Sequence, residues 1–207
     1  MRTLFLLAIL AFGRTACFAA DHPVLGRKLV ISDPIPSNPH QRTVSVAGYD
    51  LRGDPLVGDP LTDGVTVTLF TEGNSSASQA FVLPPGAFHE PNGPGWKVAR
   101  STRRPRVRYT YVDERGQNGS IVSFGLDLYE GRRTSIRTYA DGRGNNPTID
   151  VVPPNPGTGG GMIAVIPAGD RFCVVFGGSA GGRVGKVNDA TTFKVSRASG
   201  RFCPPAD

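Results

Sequence analysis

Apolar and polar residues alternate over short runs along most of the chain after residue 20. In RTVSVAGYD (residues 42–50), valines alternate with threonine, serine and alanine, and GVTVTLFT (residues 64–71) repeats the pattern. A period of two residues is typical of a strand with one buried face. Turns rich in Gly, Asp, Asn and Pro separate these runs. The pattern therefore predicts many short strands joined by tight turns.

No run of eleven or more residues beyond the N-terminus has helical spacing, and Pro and Gly recur too often for long helices. The sequence therefore predicts an all-β protein, an antiparallel β-sandwich of about ten to twelve short strands, with a barrel as the alternative. The segments DGRGNNP (residues 141–147) and VVPPNPGTGGG (residues 151–161) are predicted to be flexible loops. The candidate strands are residues 27–32, 42–50, 64–71, 79–83, 95–100, 106–113, 120–129, 134–140, 148–152, 161–166, 171–176 and 191–196.

The N-terminus has the pattern of an export signal. Arg2 precedes an apolar run from Thr3 to Phe12, and small residues follow at Ala19 and Ala20. The apolar run is too short to cross the hydrocarbon core of a bilayer, about 30 Å thick. We predict a signal peptide over residues 1–20 and a single domain over residues 21–207, secreted or periplasmic. We expect no transmembrane segment after cleavage, and lipidation of Cys17 is the open alternative.

Cys173 and Cys203 are the only cysteines beyond the predicted signal peptide. Cysteines of an exported protein meet an oxidising environment and usually pair. Neither cysteine has the spacing of a zinc ligand, and no histidine follows either one to activate a thiol. We predict a Cys173–Cys203 disulfide, with two free structural thiols as the alternative.

A cluster of arginines gives the sequence its clearest candidate for binding. The chain has 39% hydrophobic and 19% charged residues and a net charge of +6, an ordinary globular composition with a mild basic excess. Arginines near aromatic residues can bind an anionic polysaccharide or cell surface through charge and ring stacking. Nucleic acid is a less favoured partner. The candidate residues are Arg103, Arg104, Arg106, Arg108, Trp96, Tyr109 and Tyr111.

The same residues have simpler explanations. Alternation of Arg106 and Arg108 with Val107 and Tyr109 is also what a strand with one solvated face shows. Alternating aromatic residues in strands are more often core or cross-strand pairs than sugar platforms.

No motif in the sequence predicts catalysis, a metal or a cofactor. His22, His40 and His89 are scattered, and no G-x-S-x-G or H-E-x-x-H sequence is present. We therefore expect a non-catalytic structural or binding module. A binder of an anionic polymer or cell-surface glycan is the first alternative, and a secreted hydrolase of unrecognised type is the second.

Three segments together resemble one family of proteins. They are GRKLVISDPIPSNPHQRTVSVAGYD, then GW followed by RYTYVD, and finally the closing segments FCVVFGG, KVNDATTFKVS and FCPP. In this order they resemble an uncharacterised family of exported bacterial all-β domains with a C-terminal cysteine pair. The resemblance implies an all-β fold and export. It carries no activity and no functional residues.

Overall fold

A computed structural model of the protein describes residues 20–89, 91, 93–103, 105–143, 146–167 and 169–205. These residues form twelve β-strands joined mostly by turns. The predicted signal peptide lies outside these residues, except for Ala20. One short helix, α1 (Pro60–Asp63), and two 3₁₀ turns, Pro39–Gln41 and Gly178–Ala180, complete the regular structure. The strands are β1 (Asp21–Ser32), β2 (Thr43–Asp50), β3 (Val65–Gly73), β4 (Ala77–Leu83), β5 (Gly95–Ser101), β6 (Arg106–Val112), β7 (Ile121–Tyr129), β8 (Arg133–Asp141), β9 (Gly157–Val165), β10 (Arg171–Phe176), β11 (Arg183–Asn188) and β12 (Thr192–Ser196).

The prediction of an all-β fold is confirmed, but the twelve strands belong to one hydrogen-bonded sheet. The strand order is β4-β3-β9-β10-β1-β2-β8-β7-β6-β5, with β12 beside β1 and β11 beside β12. A sandwich is therefore not confirmed. The sheet is mostly antiparallel, with one parallel pair between the first half of β1 and β10. Ala87, which follows β4, forms a bridge with Trp96 of β5, so the two ends of the strand path meet at one point.

One core occupies the inner face of this curled sheet. The alternation of the sequence appears directly in the burial of the strands: Val65, Val67 and Leu69 of β3 are buried, and the residues between them are less so. A single cluster of buried apolar side chains draws on eleven of the twelve strands. Its largest members include Trp96, Tyr111 and Phe124, whose rings pack in tilted and edge-on contacts.

Two predictions between residues 148 and 161 are wrong, one at the start of β9 and one in the segment before it. The glycine-rich segment expected in a flexible loop forms the first half of β9, which pairs with β3 and β10 on either side. The glycines are needed because the neighbouring backbones lie close. A Cβ at Gly161 would collide with the carbonyl oxygen of Val174, and one at Gly159 with that of Phe176. Conversely, the predicted strand at residues 148–152 has no strand structure, and its apolar side chains, Ile149 and Val151, are buried in the core.

The predicted disulfide is present and fixes the C-terminal segment to the sheet. Cys173 in β10 is bonded to Cys203, with 5.2 Å between the Cα atoms. Residues 197–205, which we call the C-terminal tail, continue from β12 beside β1 and then cover the outer face of β10. The tail is held by hydrogen bonds from Ala198 N–H to Gly26 O and from the Arg171 guanidinium to Pro204 O. β10 is consequently buried on both faces.

Among the described residues, no helix has the length and apolar character needed to cross a membrane.

Removal of the disulfide should lower stability substantially. Cysteines 30 residues apart close a loop whose loss is expected to reduce the free energy of unfolding of the Cys173→Ala/Cys203→Ala variant by roughly 3 to 4 kcal/mol. The measurement is equilibrium denaturation with urea. A reducing agent should lower the stability of the wild type and leave the variant unchanged. Equal denaturation midpoints for the oxidised wild type and the variant would contradict the prediction.

The burial of Tyr111 should make the protein less stable at high pH. Burial raises the pKa of Tyr111 to about 12, from 10.0 for a tyrosine exposed to water. Between these values the unfolded chain releases the phenolic proton and the folded chain retains it, so stability falls as pH rises through this window. We expect a shallower loss of unfolding free energy above pH 10 in Tyr111→Phe, measured by denaturation at a series of pH values. An unchanged slope would show that Tyr111 does not contribute.

Candidate functional site

The arginines that the sequence singled out do not act as one group. Arg103 is exposed in the turn between β5 and β6, and Arg104 lies outside the described residues. Arg106 and Arg108 point outward from β6, as the alternation predicts, and both donate hydrogen bonds to Asp127 of β7. The Arg106 Nε to Asp127 Oδ1 distance is 2.7 Å, and the Arg108 Nη2 to Asp127 Oδ2 distance is 3.0 Å. The charge of Asp127 thus neutralises part of this cluster.

The three aromatic candidates are not on the surface. Trp96, Tyr109 and Tyr111 are 2%, 5% and 0% exposed, because they occupy the inward positions of β5 and β6. The Trp96 indole N–H donates to Pro84 O, and the Tyr111 hydroxyl accepts from the Asn118 amide. Rings buried in this way cannot stack on a sugar or a base. These three residues therefore serve the core, in agreement with the simpler explanation.

A groove on the outer face of the sheet is the best-formed candidate site. We call it the outer groove; it crosses β1, β2, β8, β7 and β6 and encloses a volume of about 840 Å³. This size is within the range of ligand sites, about 300–1,000 Å³. Its floor lies on two rows of residues paired across the strands. One row is Thr110, Gly125, Arg137 and Ala47, and the other is Arg108, Asp127, Ser135 and Tyr49.

Small side chains create the space. Ala47, Gly125 and Ser135 occupy outward positions of three adjacent strands, where longer residues would fill the groove. Gly125 has a particular role, because a Cβ there would lie 3.1 Å from Nε of Arg137. The Arg137 side chain therefore extends flat over β7, and the surface above Ala47 stays open.

The charge of the groove is strongly positive. Among the described residues, its lining has one carboxylate, Asp127, and five arginines. Two of the arginines lie on β8 and one on β6. The other two, Arg27 of β1 and Arg197 beside it, form what we call the β1 wall. Asp127 is already bonded to Arg106 and Arg108. No ion pair or side-chain hydrogen bond between described residues involves the other four lining arginines. The lining arginines are Arg27, Arg108, Arg133, Arg137 and Arg197.

Two irregularities of the backbone bring arginines to the β1 wall of the groove. The register of β1 against β2 shifts between Gly26 and Lys28, so Arg27 is the inserted residue of a β-bulge. Arg197, the first residue after β12, has a φ of 55°, and it is the only described non-glycine residue with a positive φ. The Arg197 N–H donates to the carbonyl oxygen of Arg27, so the two irregular residues are neighbours.

An apolar wall stands beside these arginines. Leu25 of β1 is in register with Tyr49 of β2, and Leu51 follows at the end of that strand. Tyr49 is 36% exposed and Leu51 is 66% exposed. Exposed apolar side chains next to a basic groove favour a ligand that has both an anionic group and a less polar body.

The histidines do not form a hydrolytic site among the described residues. His22 Nε2 lies 3.2 Å from Oδ1 of the buried Asp170, and the His22 ring stacks on Phe172. No serine or threonine hydroxyl of the described residues is hydrogen-bonded to a histidine. His40 lies in a 3₁₀ turn and His89 in an exposed loop. No group of three or more metal-ligating side chains occurs in the described part of the chain.

Sequence reasoning identified one lining residue, Arg108, and missed the rest of the groove. Arg137 alternates with buried Ile136 and Thr138, which marks it as outward-facing, but the sequence does not show which strands lie beside it. Arg27 and Arg197 are 170 residues apart and meet only because β12 pairs with β1.

Comparisons with family models, with curated proteins and with solved structures found no match to this chain.

Proposed function

We propose that the chain is an exported, non-catalytic binding module that binds an acidic polysaccharide in the outer groove. The observation that carries the proposal is the composition of the groove: five arginines and one carboxylate, with that carboxylate already paired. Anionic groups along a polysaccharide would replace the missing partners of the unpaired arginines. The groove is open and crosses five strands, which suits a chain better than an enclosed small molecule.

The scaffold supports this function. The disulfide between Cys173 and Cys203 agrees with export, because such bonds persist in oxidising compartments. We propose that halves of the curled sheet face each other across the core as the layers of a sandwich do. A surface built on such strands presents its arginines in fixed positions, which reduces the entropy lost on binding.

The binding test uses two acidic probes, polygalacturonate and dextran sulfate, with neutral dextran as the uncharged reference. We expect both acidic polymers to bind the wild type, with affinity that falls as salt concentration rises, because salt screens exposed charges. Arg137→Ala should weaken binding about tenfold, since a hydrogen bond to a charged group contributes about 1.5–3 kcal/mol. Isothermal titration calorimetry measures both effects.

The matched control is Arg115→Ala. Arg115 is exposed in the turn between β6 and β7 and does not line the groove, so its loss changes the net charge equally. We expect this variant to bind within about twofold of the wild type, as for surface substitutions of small effect. The proposal fails if neither acidic polymer binds, or if Arg115→Ala weakens binding as much as Arg137→Ala.

A further inference from the structure

The β1 wall of the outer groove has an unusual concentration of positive charge. Arg27 and Arg197 both line the groove, and a hydrogen bond of 3.2 Å joins their main chains. Lys28, also exposed, follows directly on β1. No carboxylate of the described residues forms an ion pair with any of these three side chains. Their mutual repulsion is unfavourable unless an anion lies between them.

Both arginines occupy irregular backbone positions. Asn and Gly adopt the left-handed conformation of residue 197 more readily than Arg does. A β-bulge such as that at Arg27 re-aims a side chain and is frequent next to functional sites. Because the two irregularities are hydrogen-bonded neighbours, each one directs an arginine to the same end of the groove.

The number of donors at this end indicates the kind of anion. A carboxylate has two oxygens in one plane, and a single guanidinium can satisfy both through a bidentate pair. A sulfate or phosphate ester has three terminal oxygens that point in different directions, so it can accept hydrogen bonds from two guanidinium groups at once. Two adjacent arginines therefore match an ester better than a carboxylate.

The neighbouring wall fits the body of such a ligand. Leu25 lies two residues before Arg27 on β1, about 7 Å along the strand, and pairs in register with Tyr49. The ring of Tyr49 is partly exposed and can pack against the less polar face of a sugar. An ester group at the arginines and a sugar ring at Tyr49 would thus occupy adjacent parts of one wall.

We propose that Arg27 and Arg197 form a subsite for the sulfate or phosphate ester of a sugar, with the sugar ring against Tyr49. The subsite rests on the proposed function and specifies its ligand: an acidic polysaccharide that carries ester groups, in preference to one that carries only carboxylates.

The test compares dextran sulfate with polygalacturonate, matched in charge density, by calorimetry on the full mature chain. Dextran sulfate should bind the wild type about tenfold more tightly. Arg27→Ala and Arg197→Asn should each weaken dextran sulfate about tenfold and polygalacturonate by less than threefold. Because both arginines bind one ester group, the double variant should lose less than the product of the two single losses. Glucose 6-sulfate or glucose 6-phosphate should compete with dextran sulfate, and the stronger competitor of the two identifies the ester chemistry. Glucuronate should not compete.

The Arg197→Asn variant separates binding from folding. Asn tolerates the left-handed conformation, so thermal denaturation should show an unchanged or higher melting temperature together with weaker binding. An arginine with a purely structural role would give a lower melting temperature and unchanged binding. Arg183→Ala is the local control: Arg183 of β11 is in register with Ser196, next to Arg197, but does not line the groove.

The outcomes distinguish this inference from the proposed function. Equal binding of both polymers, with losses in Arg137→Ala but not in Arg27→Ala or Arg197→Asn, overturns the ester subsite and leaves the acidic-polysaccharide proposal standing. Absence of binding to either polymer overturns both.

Discussion

The covalent attachment of the C-terminal tail to β10 determines which side chains on the outer face of the sheet are covered and which are exposed. Cys173 is completely buried, and the tail that is bonded to it through Cys203 covers its strand from outside. Without the tail, Val175 of β10 and Phe70 of β3 would be more exposed, because both pack in the apolar cluster that Cys203 covers. The tail begins at Arg197, at the edge of the outer groove. The tail therefore covers the apolar side chains of β10 and also contributes the positive charge of Arg197 to the groove.

The curl of the sheet depends on close backbone approach in one region. Gly157, Gly159 and Gly161 lie where β9 passes β3, β10 and the side chain of Phe193, and a Cβ would meet atoms of these neighbours. Gly26 plays the same part on β1, where its missing side chain leaves room for the ring of Phe176. Gly26 also begins the β-bulge that presents Arg27. A bulge increases the local twist of a strand, so the feature that bends β1 around the core also directs an arginine outward.

Alternation in the sequence predicted most strands because each has one buried face, and eleven of the twelve candidates correspond to strands of the structure. Alternation gave a wrong prediction in two places, where apolar residues are buried without strand pairing and where glycines lie within a strand. The segment at residues 148–152 has the composition of a strand, but Ile149 and Val151 are buried without ladder pairing. The opposite error arose at residues 157–161, since glycines that signal a loop also allow close strand packing. Strand order was not predictable, because the pairing of β1 with both β10 and β12 joins residues about 150 or more positions apart.

The residues of the groove could not be grouped from the sequence either, because strands distant in sequence bring them together. The distribution of charge supports the proposed binding function. Three arginines outside the groove have carboxylate partners, Arg171 with Asp21, Arg42 with Asp33, and Arg143 with Asp141. The exposed Arg115 and Arg183, which also lie outside the groove, form no ion pair with a described residue. The chain has 17 acidic residues, so partners were not scarce. The groove differs because the unpaired arginines gather over a floor of small side chains, and two of them stand on irregular backbone. Repulsion among the gathered arginines and the left-handed φ of Arg197 are both unfavourable in the free protein. We propose that an anionic ligand offsets the charge repulsion among these clustered arginines.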